Sequence, residues 1–280
     1  MAKPNKGLAQ HFLTDLGAVR RIVGAAGVGA DDLVVEIGPG RGALTGRLLA
    51  QAGTVIGIER DGALCDLLRS RFGRGLHLRN RDVLTVDFSD LIRGAGFDHA
   101  ILVGNLPYYI TGAVIQRILD ARRRFKRAVL TVQREVARRI AATPGNRDYG
   151  VLSIAVQLYS DPKTLFDLAP DVFNPAPRVF SSVIRLDFQR ETRYRIQDER
   201  FFFRVVRTAF GQRRKMLKNA LLGMTHGRME ILQRVGAMAE IDFRLRPEAV
   251  SIPEYERISR ALKGFATSAG SVTGADSRQM

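Results

Sequence analysis

The chain has 280 residues, of which 45% are hydrophobic, so it can form one large domain or a large and a small one. Its net charge of +16 is typical of proteins that bind a polyanion. No apolar run is long enough to span a membrane, and the single cysteine excludes an internal disulfide, so we expect a cytoplasmic protein.

The first 188 residues alternate between apolar runs and amphipathic stretches. Amphipathic segments such as GALCDLLRSRF and GAVIQRILDARR predict helices. Between them, short runs rich in Val, Ile and Leu predict the strands DLVVEI, TVIGIE, LHLRNRD, HAILVGN and RAVLTVQ. This alternation is typical of a parallel sheet with helices on both faces. Cys65 lies in one of the helical patterns, and we expect it only to pack.

The pattern changes after Gln133. The segments LYSDPKTLFDLA and SSVIRLDF predict two more strands, and without regularly spaced helices they favour an antiparallel end to the sheet. From Asp198 onward the sequence becomes helical. The predicted fold class is therefore α/β: a mostly parallel, Rossmann-like sheet with an antiparallel end, plus a small C-terminal all-α domain. We predict a catalytic domain at 1–188, a helical domain at 189–264 and a disordered tail at 265–280.

A glycine-rich turn, VVEIGPGRGAL, follows the first of these strands. Gly38, Gly40 and Ala43 occupy the three small positions of a dinucleotide-binding pattern, and the following helix offers free N–H groups. About twenty residues further on, a predicted strand ends in Glu59, whose carboxylate can accept hydrogen bonds from ribose hydroxyls. The pattern predicts a ribose-bearing cofactor. It does not choose between NAD and S-adenosylmethionine, and a tight turn without a ligand is the alternative.

Two details favour S-adenosylmethionine. Glu36 gives the sequence E-x-G-x-G, which resembles the first motif of class I methyltransferases. Asp82 ends the third strand, where a carboxylate can bind the amino group of adenine, although it could instead cap a helix. The four histidines are scattered and the cysteine is alone, so we expect no metal site.

The fourth strand runs into GNLPYYIT, at the same predicted edge of the sheet. The side-chain oxygen of Asn105 can accept one N–H of an exocyclic amine, and Pro107 stiffens the loop so that the Leu106 carbonyl faces the second. Tyr108 offers a face on which a flipped-out adenine can stack, an interaction worth about 1–3 kcal/mol per base. The alternative is a proline turn with buried tyrosines.

The motifs of the whole chain resemble one family. Asn-Leu-Pro-Tyr is the fourth motif of N6-adenine methyltransferases, and residues 7 to about 265 resemble the ribosomal RNA adenine dimethyltransferases that modify small-subunit RNA. Ala9 stands where this family usually has glycine. The segments that carry the resemblance occur in the family's order: GLAQHFLTD, EIGPGRGALT, GNLPYYIT, FNPAPRVFSSV and AFGQRRKMLKNAL.

The resemblance implies a class I methyltransferase fold and a reaction. Two methyl groups would pass from S-adenosylmethionine to N6 of each of two adjacent adenosines, in a hairpin near the 3′ end of small-subunit rRNA. The products would be N6,N6-dimethyladenosine and S-adenosylhomocysteine. The implied partner is the small ribosomal subunit, whose biogenesis the enzyme would assist. We expect a monomer, with no metal and no membrane contact.

Matching positions imply roles for individual residues, apart from Tyr109, which stands where many members have asparagine or histidine. The cofactor pocket would comprise His11, Leu13, Gly38, Gly40, Glu59, Asp82 and Asn105. The catalytic residues would be Asn105, Leu106, Pro107, Tyr108 and Phe173, the last as a second aromatic face opposite Tyr108. The alternative for Phe173 is that its ring simply packs. Two basic clusters are expected to bind RNA. Local charge singles out Arg122, Arg123 and Arg124, whereas Arg213, Arg214 and Lys215 belong to the QRRK run of the family, whose alternative is a solvated helix face.

Three other functions fit part of the sequence. A related enzyme that methylates a large-subunit adenine and gives macrolide resistance shares the motifs, but the helical domain with QRRK favours the small-subunit branch. A non-catalytic RNA-binding assembly factor would not need Glu59, Asp82 and Asn-Leu-Pro-Tyr. An NAD-dependent oxidoreductase would leave GNLPYYIT unexplained.

Overall fold

The computed structural model describes residues 10–188 and 194–270, which form two compact units. The first contains residues 10–141 and 159–188, and the second contains 142–158 and 194–270. The predicted division near residue 188 therefore misses one segment, because residues 142–158 pack with the helical unit. Tyr149 explains this packing, since its buried ring lies 6.3 Å from that of Phe210.

The strands and helices alternate through the first unit, and helices dominate the second. The strands are β1 Phe12–Leu13, β2 Leu33–Ile37, β3 Thr54–Glu59, β4 Leu76–Asn80, β5 Ala100–Asn105, β6 Phe125–Gln133, β7 Ser160–Leu168, β8 Phe173–Asn174 and β9 Ser181–Phe188. The helices are α1 Leu16–Ala26, α2 Thr45–Leu49, α3 Gly62–Phe72, α4 Phe88–Gly94, α5 Thr111–Asp120, α6 Arg134–Ala141, α7 Val151–Tyr159, α8 Glu199–Gly211, α9 Leu217–Ala220, α10 Met229–Ala239 and α11 Ile252–Gly270.

The main sheet has seven strands in the order β4-β3-β2-β5-β6-β9-β7. The pairs from β4 to β6 are parallel, whereas β9 pairs antiparallel with both β6 and β7. All residues of β2 are buried, as expected for a central parallel strand with both faces covered. The predicted α/β fold with an antiparallel end is confirmed.

The strand order reverses direction at β2, and this reversal positions the site. The chain moves from β2 outward to β3 and β4, then returns to β5 on the other side of β2. Ile37, the last residue of β2, lies opposite Gly104 of β5, so the loops that follow the two strands leave the sheet side by side. Open α/β sheets bind their ligands at such a switch point.

The second unit is built on an amphipathic helix, α8. Asp198 caps its first turn by accepting a hydrogen bond from the Phe201 N–H, and its buried face includes Phe202 and Val206. Helix α11 runs to Gly270, so the first residues of the predicted disordered tail are helical, and residues 271–280 lie outside the described part of the chain. Within the described ranges, no helix combines the length and apolar character needed to cross a membrane.

Candidate active site

The glycine-rich turn after β2 forms the floor of a cleft at the carboxyl edge of the sheet. Gly38 and Gly40 have φ angles of 65° and 58°, a left-handed conformation that favours glycine. A Cβ atom on Gly40 would lie 3.1 Å from a ring carbon of Phe12, so a side chain there would crowd the wall of the cleft. The Gly38 N–H donates to the Ile58 carbonyl at 2.9 Å, which holds the turn against β3.

Segments from distant parts of the sequence line this cleft. They are the residues before and within β1 and the loops that follow β2, β3, β4 and β5. All of the residues that were predicted to bind the cofactor lie along it: His11, Leu13, Gly38, Gly40, Glu59, Asp82 and Asn105. The predicted catalytic residues Leu106, Pro107 and Tyr108 also line it. Among the described residues, no group of His, Cys, Asp or Glu is arranged to hold a metal ion.

Two buried carboxyl groups face the cleft. Glu59 accepts hydrogen bonds from the N–H groups of Gly40 at 3.1 Å and Asp61 at 2.9 Å. Glu36 is 1% exposed and accepts a hydrogen bond from the Thr45 hydroxyl at 2.7 Å. Burial raises the pKa of Glu59, and it raises the pKa of Glu36 to about 7, against the opposing effect of the Thr45 hydrogen bond. The carboxyl group of Glu59 is therefore held rigidly at the cleft wall.

Asp82 lines the cleft with both carboxylate oxygens engaged. One oxygen accepts a hydrogen bond from the Leu84 N–H at 2.9 Å and caps a short 3₁₀ helix, Val83–Thr85. The other lies 3.2 Å from a guanidinium nitrogen of Arg60. The capping role that the sequence left open is therefore present, and an adenine amino group at this point would share the carboxylate with these partners.

The Asn-Leu-Pro-Tyr loop is fixed by hydrogen bonds on both sides. The Asn105 side-chain Nδ2 donates to the His11 carbonyl at 2.9 Å. Because a carbonyl can only accept, the amide nitrogen must face His11, and the Asn105 oxygen is left as the acceptor. The Leu106 N–H donates to the Thr131 carbonyl at 3.1 Å, which joins the loop to the end of β6. The loop therefore presents a fixed acceptor at the cleft.

Tyr108 stands at the end of this loop. Its hydroxyl lies 2.6 Å from Ser181 Oγ, and burial raises the pKa of Tyr108, so the group stays protonated at neutral pH. The imidazole of His11 stacks on the Tyr108 ring, with centroids 5.6 Å apart and an interplanar angle of 26°. Sequence reasoning gave His11 a place in the cofactor pocket but missed this stacking and the contact with Ser181, which is 73 residues from Tyr108.

Phe173 is not brought to the cleft. It pairs with Leu13 in the two-stranded sheet of β1 and β8, and its side chain is 4% exposed within a hydrophobic cluster that includes Val19 and Val183. The predicted second aromatic face opposite Tyr108 is thus absent among the residues that line the cleft. The ring stacked on Tyr108 is that of His11 instead, because the β1–β8 pairing directs Phe173 into the core.

The segment before β1 forms a wall that sequence reasoning found only in part. Gln10 donates to the Asp61 carboxylate at 3.2 Å, and His11 Nδ1 lies 2.6 Å from the Pro175 carbonyl. The guanidinium of Arg41 lies 4.5 Å from the centroid of the Phe12 ring. No sequence pattern indicated that Gln10 and Phe12 would line the cleft, because their neighbours in space come from the loops that follow other strands.

The basic cluster Arg122–Arg124 lies at the opposite edge of the sheet. It forms a 3₁₀ turn directly before β6, whereas the cleft lies beyond the carboxyl ends of the parallel strands. Arg122 stacks on the Tyr159 ring at 3.8 Å, and Arg124 bonds to the Asp98 carbonyl at 3.4 Å. The structure therefore does not place this cluster beside the cleft.

The second basic cluster divides into two kinds of residue. Arg213 bonds to the Arg147 carbonyl and lies 3.7 Å from the Glu248 carboxylate. Arg214 and Lys215 are exposed, and neither side chain is in an ion pair within residues 10–188 and 194–270. These two cations are accessible to an anionic partner, whereas Arg213 has a structural contact.

The substitution Glu36→Gln tests the buried carboxyl group. The pKa of Glu36, about 7 in the folded protein, exceeds its ordinary value of 4.5, so the folded protein retains a proton that the unfolded chain releases. The wild type should therefore lose roughly 3 kcal/mol of stability from this group as the pH rises from about 4.5 to about 7, whereas Glu36→Gln should not. Guanidinium unfolding across this range measures both proteins. A difference in stability that stays constant with pH would contradict the assignment.

Comparisons with known proteins agree with this geometry. The sequence profile described as ribosomal RNA adenine dimethylase matches residues 1–254. The chain is 44% identical over 268 residues to ribosomal RNA small subunit methyltransferase A of Moorella thermoacetica, covering 93% of each protein. It is 41% identical over 266 residues to the protein of the same name from Halothermothrix orenii, covering 93% of this chain and 88% of that one.

Solved structures show the same fold. A dimethyladenosine transferase from Plasmodium falciparum superimposes with a TM-score of 0.77 at 24% identity, covering 92% of this chain and 98% of that one. The 23S rRNA methyltransferase ErmE gives a TM-score of 0.69 at 24% identity, covering 90% and 99%. The sequence match extends over both units of the structure, and it includes the EIGPG and Asn-Leu-Pro-Tyr segments that line the cleft. The chain belongs to the ribosomal RNA adenine dimethylase family.

Proposed function

We propose that the protein dimethylates N6 of two adjacent adenosines in a hairpin near the 3′ end of small-subunit rRNA. Each methyl group comes from S-adenosylmethionine, and S-adenosylhomocysteine is released. The observation that carries the proposal is the Asn105 amide, whose oxygen is left as an acceptor at the cleft by the bond to the His11 carbonyl. We further propose that the enzyme acts in the cytoplasm as a monomer during small-subunit biogenesis.

The cleft fits S-adenosylmethionine in three respects. The backbone at Gly38 and Gly40 leaves space that side chains would fill, so a ligand can approach it closely. Glu59, with its carboxyl group held by two N–H donors, would accept hydrogen bonds from ribose hydroxyls. Leu13, Ile58 and Val83 add apolar surface for the adenine ring. When bound, S-adenosylmethionine supplies an electrophilic methyl group.

The chain's own residues would position and polarise the target amine. The Asn105 oxygen and the Leu106 carbonyl would each accept one N–H of the adenine amino group, which turns the nitrogen lone pair toward the methyl group. Pro107 and the hydrogen bond from Leu106 to Thr131 keep these acceptors in place. Tyr108 would stack on the flipped-out base. The N–C bond would form as the C–S bond of the sulfonium breaks, and the methylated nitrogen, then cationic and strongly acidic, would release its extra proton to water. Positioning and electrostatics of this kind therefore need no strong general base.

Transfer of labelled methyl groups to purified ribosomal subunits tests the choice of substrate. Small and large subunits from an unmethylated strain are each incubated with the enzyme, and mass spectrometry of the RNA locates the product. We expect dimethyladenosine at two adjacent positions of small-subunit rRNA. Dimethyladenosine on large-subunit RNA would instead indicate the macrolide-resistance activity. No transfer to either subunit, together with normal subunit binding, would indicate a non-catalytic assembly factor.

Asn105→Ala should separate catalysis from cofactor binding. The variant removes an acceptor for the amine, so we expect turnover to fall by about 10²-fold or more while most of the cofactor affinity survives. Asn80→Ala is the matched control, because Asn80 also ends a strand but bonds to the main-chain carbonyls of Glu59 and Arg60. Its turnover should stay within about threefold of wild type. Calorimetry and single-turnover methylation measure the two properties, and near-normal turnover of Asn105→Ala would exclude the proposed role.

Neutralising Arg214 and Lys215 should weaken subunit binding and flatten its dependence on salt. Both cations are exposed, so each can neutralise about one phosphate and change the slope of log K against log salt by about one. Arg213→Gln is the control, because Arg213 is engaged with Glu248 and should have a smaller effect on the slope. Filter binding at several salt concentrations measures the slope of log K against log salt. An unchanged slope in Arg214→Gln/Lys215→Gln would remove this cluster from the RNA interface.

A further inference from the structure

Phe180 is a second aromatic side chain in the first unit, and the mechanism proposed above does not use it. The β6–β9 ladder ends with Gln133 opposite Ser181, and the Arg134 N–H adds one more hydrogen bond, to the Phe180 carbonyl at 3.0 Å. The guanidinium carbon of Arg134 then lies 4.7 Å from the centroid of the Phe180 ring. Phe180 nevertheless remains 41% exposed, so it presents a large apolar surface to solvent.

This pair is connected directly to the residues that would hold the target adenine. Ser181, the neighbour of Phe180 in sequence, has its Oγ 2.6 Å from the Tyr108 hydroxyl. Asn105 lies opposite Thr131 of β6, which is three residues before Arg134, a distance of about 10 Å along a strand. The Phe180–Arg134 pair therefore lies within the reach of a nucleotide next to one held at Asn105.

The charges around Phe180 favour an RNA strand over an apolar partner. Arg134 has only a loose ion pair, 3.9 Å from the Asp167 carboxylate. Arg138 and Arg178 are exposed, and neither forms an ion pair within the described ranges. Bases stack on aromatic rings and on guanidinium planes, while arginine also binds phosphate, so an exposed ring among arginines matches both parts of a nucleotide.

We propose that Phe180 and Arg134 form a stacking platform for the nucleobase adjacent to the adenine held at Asn105, with Arg178 pairing with its phosphate. This inference rests on the proposed function, in which the adjacent base is the other of the two target adenosines. The platform holds that base out of the RNA stack while its neighbour occupies the cleft. Phe180 is thus a positioning residue for the substrate and makes no contact with the reacting atoms.

The test combines a protein substitution with removal of the base. Small subunits are prepared with a synthetic 3′ segment of rRNA in which one target adenosine at a time is abasic, and methylation of the other is measured. Phe180→Ala should raise the KM for intact subunits about tenfold with little change in kcat. Abasic subunits should raise the wild-type KM similarly. The KM of Phe180→Ala on abasic subunits should be no higher than the KM with either change alone, because both changes remove the same contact.

Two further variants serve as controls. Phe180→Tyr keeps a ring and should behave like the wild type, and Leu165→Ala truncates another partly exposed apolar side chain, on the edge strand β7, and should leave KM unchanged. A normal KM for Phe180→Ala would overturn the platform. So would a KM about a hundredfold above wild type when the substitution and the abasic subunit are combined, because the two effects would then be independent. A loss with Phe180→Ala but none with abasic subunits would also overturn it, in favour of a protein contact. If wild type fails on intact subunits, the proposed function itself has failed.

Discussion

One hydrogen bond, from the Asn105 amide to the His11 carbonyl, joins parts of the chain that are 94 residues apart. It fixes which end of the amide faces the cleft, because the carbonyl cannot donate. It also anchors the segment before β1, whose Gln10 reaches Asp61 and whose His11 ring covers Tyr108. The contact therefore orients the proposed amine acceptor, whereas the segment before β1 is also held by the Gln10–Asp61 hydrogen bond and by the contact of His11 with the Pro175 carbonyl.

The same cleft carries an electrostatic cost. Two glutamates are buried at the carboxyl ends of the adjacent strands β2 and β3, and each has a pKa raised by burial. A buried carboxyl group destabilises the folded chain unless it is satisfied, and the Gly40, Asp61 and Thr45 donors offset this only in part. Carboxyl groups with perturbed pKa values cluster at functional sites, and both of these glutamates line the cleft.

Local sequence patterns were sufficient for most of the sheet but not for contacts between its loops. Alternation of strands and helices predicted the parallel sheet, and motif positions predicted several of the residues that line the cleft. Both predictions depend on short segments and on the common edge of parallel strands. The sequence left open whether Phe173 faces Tyr108 or packs, because its partner in the β1–β8 sheet, Leu13, is 160 residues away. The sequence did not separate Arg213 from Arg214 and Lys215, because only the fold brings Glu248 beside one of these three consecutive basic residues. Residues 142–158 likewise belong to the second unit because the Tyr149 ring packs on Phe210, a contact that no local sequence pattern predicts.

The small sheet formed by β1 and β8 has a further consequence. Its two strands pair with each other and stand apart from the seven-stranded sheet. One continues from the wall beside the glycine turn, and the other leads through Pro175 toward Phe180 and Ser181. The wall of the cleft and the segment that leads to Phe180 are therefore held by one short ladder, in which Phe12 lies opposite Asn174 and Leu13 opposite Phe173. This ladder is separate from the seven-stranded sheet, so the two sides of the ribbon share a support that the main sheet does not provide.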